Sequence, residues 1–176
     1  MAVAAGIMVP HPPLIVPDVG RGQEILIKDT IKAYQEAAGM AAELKPDTIV
    51  VISPHAVMYA DYFHVSPGKE ARGDFGRFMA PQIGVEAGYD EAFVRELDRL
   101  CGDDDFPMGT EGEREKELDH GTLVPLYFIN QHYRDYKLVR IGGSGLSFAD
   151  HYRAGRYIAR AAENLGRSVF IVASGD

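Results

Sequence analysis

The sequence predicts an α/β fold, with a mixed, mostly parallel sheet and helices on both faces. Short apolar runs rich in Val and Ile alternate along the chain with longer segments of helical periodicity. The apolar runs are continuous, which is typical of parallel strands buried on both faces of a sheet. The 176 residues are expected to form a single domain over 1–176.

The chain begins with a predicted β-α-β unit. A strand over 4–9 stops at a proline-rich segment, because proline lacks the N–H donor that a central strand needs. A helix over 23–44 follows, with apolar residues spaced three and four apart, and a second strand covers 48–53. A connection of this size joins parallel strands, so both strands should end at the same edge of the sheet.

The middle of the chain is expected to hold fewer regular elements. A short strand over 61–66 precedes a loop over 67–88, which is rich in Gly, Pro and charge and has strand character only near 82–86. A helix over 89–100 carries apolar residues on one face. An acidic, exposed loop is expected over 101–117.

The last third of the chain returns to alternating elements. Helices are predicted over 120–131 and 148–165, and buried strands over 137–141 and 168–173. Between a strand and a helix lies Gly142-Gly143-Ser144-Gly145, which is either a tight turn or a phosphate-binding nest. It lacks the Lys-Ser/Thr of a P-loop and the spaced glycines of a dinucleotide fingerprint, which favours the turn.

Composition excludes several classes of protein. The formal net charge of −8 argues against a nucleic-acid partner. No apolar run is long enough to cross a bilayer, so no membrane partner is expected. The single cysteine, Cys101, excludes an intrachain disulfide framework and suits a cytoplasmic protein, with Cys101 itself in the core. Nothing in the sequence decides for or against a homo-oligomer.

Two histidines are the strongest candidates for chemistry. His11 lies between Pro10 and Pro12 after the first predicted strand, and His55 follows Pro54 after the second. Ligand sites of open α/β sheets lie just beyond the carboxyl ends of parallel strands. Imidazole is a ligand of iron, zinc, copper and nickel, so His11 and His55 are candidates to share one metal ion. Taken singly, each is better explained as a polar residue at a strand end than as a ligand, and it is the repeated order of strand, Pro and His that favours the pair as ligands.

A third histidine, His120, starts a predicted helix. Asp119 is a good N-cap there, so helix initiation alone explains the motif. The alternative is that His120 lies near the strand edge and donates a hydrogen bond to a substrate or to dioxygen. The other three histidines are expected to be packed or solvated: His64, His132 and His151.

Taken in order, these motifs resemble the class III extradiol ring-cleavage dioxygenases, the LigB superfamily. The resemblance spans the chain and rests on Pro10-His11-Pro12-Pro13, Ser53-Pro54-His55, Asp119-His120-Gly121 with Pro125-Leu126, and Ser174-Gly175-Asp176. The last of these matches the beginning of a longer Ser-Gly-Asp-x-Ser-His segment of that family.

The resemblance implies a LigB-like fold and a non-heme Fe(II) site of two histidines and one carboxylate, with Zn(II) as the alternative metal. It makes His11 and His55 the histidine ligands and His120 a catalytic histidine beside the substrate. The implied reaction is extradiol cleavage of a small, catechol-type aromatic by dioxygen, in the catabolism of aromatic compounds.

Two features of the family find no match in the sequence. Its glutamate ligand and its catalytic base come later than the position of Asp176, so the C-terminal part of the family domain is expected to be missing. The alternative function that the resemblance allows is a LigB/Memo-like metal-binding accessory protein without dioxygenase activity.

Overall fold

The structure, a computed structural model, describes residues 2–175. Its strands are β1 (Val3–Pro10), β2 (Thr48–Ser53), β3 (Phe63–His64), β4 (Glu70–Phe75), β5 (Ala80–Gly88), β6 (Met108–Gly109), β7 (Lys137–Gly142) and β8 (Val169–Gly175). Its α-helices are α1 (Pro17–Gly20), α2 (Lys28–Leu44), α3 (Glu91–Asp103), α4 (His120–Ile129) and α5 (Phe148–Leu165). Within the described residues, no helix has the length and apolar character to cross a membrane.

A parallel sheet of four strands, in the order β1-β8-β2-β7, forms the centre of the molecule. The predicted parallel direction of β1 and β2 is confirmed, although β8 lies between them and pairs with both. All four strands are parallel and therefore end at one edge of the sheet. At this edge β1 ends with Pro10, β2 ends with Ser53, and β8 ends with Ser174 and Gly175. This edge carries the residues that the sequence singled out.

Helices cover both faces of the sheet, as predicted. Alternate residues of a strand point to opposite layers, so Ile49 and Val51 belong to one core while Val50 belongs to the other. The first core includes residues of α2 and α4, and the second includes residues of α3 and α5. The α/β class follows directly from this arrangement of helix, sheet and helix.

The expected loop over 67–88 is wrong except for its strand character near 82–86, because this segment is an antiparallel hairpin of β4 and β5. Pairing runs from Glu70 opposite Gly88 to Phe75 opposite Ala80. The buried side of the hairpin joins the core that includes α4. Glycine in this hairpin allows close packing and does not indicate a flexible loop. A Cβ at Gly73, for example, would overlap the backbone and side chain of Leu118. Contacts made far along the chain therefore decide this element.

Smaller corrections concern element boundaries. The strand expected over 61–66 shrinks to β3, which pairs with β6 inside the segment expected to be an exposed loop. The helix expected over 23–44 begins with a 3-10 turn over Gln23–Ile27 before α2. Cys101 is buried near the end of α3, as predicted.

Candidate functional site

His11, His55 and His120 meet at the carboxyl edge of the central sheet. The Nε2 atoms of His11 and His55 are 3.0 Å apart. The rings of His55 and His120 lie with their centroids 4.0 Å apart and their planes at 35°. One ring nitrogen from each of the three histidines falls within 4.8 Å of the others. The predicted proximity of His11 and His55 is confirmed, and His120 joins them.

The three imidazoles differ in their exposure to solvent. His11 is buried, with 2% of its surface exposed, whereas His55 is exposed and His120 is half-buried. The cluster is therefore closed on the side of β1 and open on the side of His55. A small molecule can approach the cluster from this open side.

Neutral hydrogen bonds hold the buried side of the cluster. The Tyr34 hydroxyl donates to the carbonyl oxygen of Pro10 at 2.6 Å, directly before His11. Burial raises the pKa of Tyr34 well above its ordinary value, so this hydroxyl keeps its proton. On the ring itself, Nδ1 of His11 lies 2.9 Å from Oγ of Ser174, at the end of β8. These contacts fix both the backbone and the ring of His11.

A carboxylate organises the open side of the cluster. Asp119 is the N-cap of α4, since its Oδ1 accepts from Thr122 N at 3.0 Å, and Oδ2 accepts from Thr122 Oγ1 at 2.9 Å. The same Oδ1 accepts from Ser53 Oγ at 2.5 Å, and Ser53 Oγ accepts from the His55 backbone N–H at 3.2 Å. The expected N-cap is thus present, and it also ties the start of α4 to the loop that carries His55.

Arg140, a residue that the sequence did not single out, lies beside the carboxylate of Asp119. It is completely buried in β7, and its Nη1 lies 3.9 Å from Oδ2 of Asp119. The same guanidinium donates to Ser66 Oγ at 2.8 Å, to Glu117 O at 2.7 Å and to Glu115 O at 2.5 Å. It therefore fastens the segment before α4 to the sheet. A charged residue inside an apolar strand was the signal that could have revealed it.

Two glycines allow the segments of the site to approach closely. A Cβ at Gly121 would overlap the Ser53 hydroxyl and lie 3.3 Å from Cδ2 of His55. A Cβ at Gly142 would overlap the carbonyl of Val57, in the loop after His55. Close packing against that loop accounts for the glycine at the start of the Gly142–Gly145 segment, in agreement with the tight-turn interpretation.

The tip of the hairpin supplies an aromatic wall. The 3-10 turn Gly76–Phe78 joins β4 to β5, and the Phe78 ring lies edge-on to His120, with centroids 5.4 Å apart and planes at 70°. Arg21 Nη2 donates to Met79 O at 3.1 Å and fastens the tip to the segment after α1. The sequence showed an aromatic residue here, but it could not place it, because the hairpin was not recognised.

The remaining histidines lie outside the cluster. His64 is buried, with Nδ1 3.0 Å from Glu111 O and Nε2 3.3 Å from Glu113 Oε2. His132 and His151 are exposed, as expected. Asp176, the last residue of the fourth motif, lies outside the described residues.

The donor set fits a metal ion that binds imidazole. Two nitrogens that bind one ion at about 2.1 Å lie about 3.0 Å apart when the bonds are at right angles and about 3.4 Å apart in a tetrahedral site. The Nε2 atoms of His11 and His55 are separated by 3.0 Å. Within residues 2–175 the group consists of three histidines and contains no carboxylate. Such a set suits iron or zinc better than the oxygen-seeking ions magnesium and calcium.

A parallel sheet of an α/β protein thus carries, at its carboxyl edge, a cluster of three histidines that could hold a metal ion. The family model described as the catalytic LigB subunit of aromatic ring-opening dioxygenase matches residues 5–176. The chain belongs to this family.

Two curated proteins are similar to this chain, at different levels of identity. Protein CA_C1420 of Clostridium acetobutylicum is 36% identical over an alignment of 176 residues, which covers 96% of this chain and 38% of that protein. The 3,4-dihydroxyphenylacetate 2,3-dioxygenase of Escherichia coli is 25% identical over 151 residues, 82% of this chain and 54% of that enzyme. This chain thus spans about two fifths and about half of the lengths of these relatives.

Proposed function

We propose that this chain carries the metal-binding histidines of a dioxygenase that cleaves a catechol-type aromatic ring next to its two hydroxyl groups. Both oxygen atoms of dioxygen enter the product, so the reaction needs no external reductant. The observation that carries the proposal is the meeting of His11, His55 and His120 at the carboxyl edge of the sheet. Membership of the LigB family supports the same chemistry.

The roles of the three histidines follow from their positions. His11 and His55 are the proposed ligands, because their Nε2 atoms face each other at 3.0 Å. The proposed metal is Fe(II), with Zn(II) as the alternative. Bound Fe(II) would supply Lewis acidity toward the catechol oxygens and a route for electrons to dioxygen, whereas Zn(II), which has no redox chemistry, would supply Lewis acidity alone.

The chain contributes positioning, proton handling and exclusion of water. His120 is the proposed catalytic residue, since a ring nitrogen beside the cluster can accept a proton from a substrate hydroxyl and return it later. Phe78, edge-on to His120, offers an apolar surface on which an aromatic ring can pack. The exposed side at His55 is the entrance for the substrate and dioxygen.

Metal content and oxygen uptake of three variants test these roles, using the complete gene product. His11→Ala and His55→Ala are expected to lose the metal, because each removes a proposed ligand. His120→Ala should keep its metal and turn over roughly 10²–10⁴-fold more slowly, the usual contribution of proton transfer. His132→Ala is the matched control, because it changes an exposed histidine that lies outside the cluster.

Two results would contradict the proposal in different ways. Loss of metal in His120→Ala, as complete as in the other two variants, would make His120 a ligand. Stoichiometric metal without oxygen uptake on any catechol would overturn ring cleavage and favour a metal-binding accessory protein.

A further inference from the structure

The carbonyl of Gly121 is released from the usual hydrogen bonding of its helix. In an α-helix the carbonyl of residue 121 would accept from the N–H of residue 125. Residue 125 is a proline inside α4, and proline has no N–H. The Gly121 oxygen instead accepts from the Ser174 hydroxyl at 2.5 Å, across 53 residues of sequence. Pro125 therefore makes an acceptor available at the edge of the site.

The hydrogen bond from Ser174 to Gly121 determines the direction of the hydrogen bond between Ser174 and His11. A carbonyl oxygen only accepts, so the single hydroxyl proton of Ser174 points to Gly121. Nδ1 of His11, 2.9 Å from the same hydroxyl oxygen, must then be the donor. A neutral imidazole carries one N–H, so Nε2 of His11 holds a lone pair. That lone pair faces the Nε2 of His55, 3.0 Å away.

We propose that Pro125, Gly121 and Ser174 form a relay that holds His11 in the Nδ1–H tautomer, ready to bind a metal through Nε2. Only an unprotonated nitrogen can be a ligand, and partners outside the ligand shell commonly select it. The proposal rests on the proposed function in one respect, because it takes His11 as a metal ligand. Ser174 and Pro125 are positioning residues here, since they act through His11.

Burial makes the relay effective. His11 and Ser174 are only 2% and 8% exposed, and Gly121 is buried as well. Water therefore cannot easily replace either partner, and the direction of each hydrogen bond is set by protein groups. The relay joins β1, β8 and α4, so folding itself prepares the tautomer before any ion arrives.

Nitrogen NMR of the histidine rings in the metal-free protein tests the tautomer directly, at about pH 8, where an ordinary imidazole is neutral. In the wild type, His11 should show a protonated Nδ1 and an unprotonated Nε2. Ser174→Ala removes the acceptor and should give a mixture of tautomers. Ser174→Thr keeps the hydroxyl and should restore the wild-type signals. Ser168→Ala, about 20 Å away and directly before β8, is the control and should change nothing.

Pro125→Ala tests the relay from its other end. It returns an N–H to α4, which competes for the Gly121 carbonyl, and the Ser174 proton can then turn to Nδ1 of His11. The expected result is a shift toward the Nε2–H tautomer with the fold retained, because alanine is the better helix former. An unchanged tautomer in a folded Pro125→Ala variant would overturn the relay.

Zinc titration with Zn(II) alone separates this inference from the proposed function. If both hold, Ser174→Ala should bind zinc about 10–100-fold more weakly than the wild type, and Ser174→Thr should recover most of the affinity. A wild type that shows the Nδ1–H tautomer but binds no zinc would contradict the metal site and leave the relay standing. Equal zinc affinity and equal tautomers in wild type and Ser174→Ala would contradict the relay and leave the metal site standing.

Discussion

The two sides of the histidine cluster are held by different kinds of interaction. His11 is fixed by neutral groups, the hydroxyls of Ser174 and Tyr34, in a buried environment. His55 and His120 lie on the open side, where Asp119 links their segments and Arg140 supports Asp119. A neutral hydrogen bond contributes about 0.5–1.5 kcal/mol, whereas removing one partner of a buried ion pair costs about 3–5 kcal/mol.

This difference assigns separate tasks to the two sides. The neutral side should decide which nitrogen His11 presents and contribute little to global stability. The charged side should contribute much to stability, because its removal leaves buried charge without compensation. Weak directional hydrogen bonds thus orient His11, while charged groups anchor the loop that carries His55 and the start of α4.

Arg140→Met is expected to have the largest effect. It removes the buried guanidinium beside the carboxylates of Asp119 and Glu113, which are 8% and 13% exposed, and leaves Glu113 with the side chain of His64. The free energy of unfolding should fall by about 3–5 kcal/mol in chemical denaturation. Arg95→Met is the matched control, because that side chain is 71% exposed, and its effect should stay within about 0.5 kcal/mol.

The same variant also tests the separation of the two sides. In a folded Arg140→Met protein, ring signals of His55 and His120 should shift while those of His11 stay in place. Equal shifts at all three histidines would mean that the two sides are not independent.

Gly121→Ala should have an intermediate effect at the junction of the two sides. The added methyl group would overlap the Ser53 hydroxyl and press on His55, so the loop or the helix must move. A loss of about 1–3 kcal/mol and weaker zinc binding are expected, measured by denaturation and titration. Gly155→Ala on α5 has open space around it and should stabilise the protein by about 0.5–1 kcal/mol. Unchanged zinc binding in Gly121→Ala would contradict the close contact.

Tyr34→Phe should have the smallest effect, on the neutral side. It removes the hydrogen bond to Pro10 and should lower stability by about 0.5–1.5 kcal/mol. Burial raises the pKa of Tyr34 above its unfolded value, so the contribution is complete below about pH 10 and is lost as the pH rises further. The free energy of unfolding, measured by chemical denaturation between about pH 8 and 11, should therefore fall more steeply with pH for the wild type than for Tyr34→Phe. If the free energy of unfolding falls equally with pH in both proteins, ionisation of the Tyr34 hydroxyl does not contribute to that fall.

Local patterns were enough to predict where β1 and β2 end and that His11 and His55 lie at the same edge of the sheet. Proline after a buried strand marks where β1 and β2 stop, and parallel pairing then brings His11 and His55 to one edge. The hairpin could not be predicted in this way, because Gly73 packs against Leu118, about 45 residues further along the chain. The relay from Pro125 to His11 was equally hidden, since it depends on β8 entering between β1 and β2.

Anomalous X-ray diffraction from crystals of the complete gene product loaded with Fe(II) or Zn(II) tests the central claim most directly. We predict one ion about 2.0–2.2 Å from Nε2 of His11 and from Nε2 of His55, with Nδ1 of His11 still bonded to Ser174. His120 should lie beside the ion without binding it. An ion held elsewhere, or bound to His11 through Nδ1, would contradict the account.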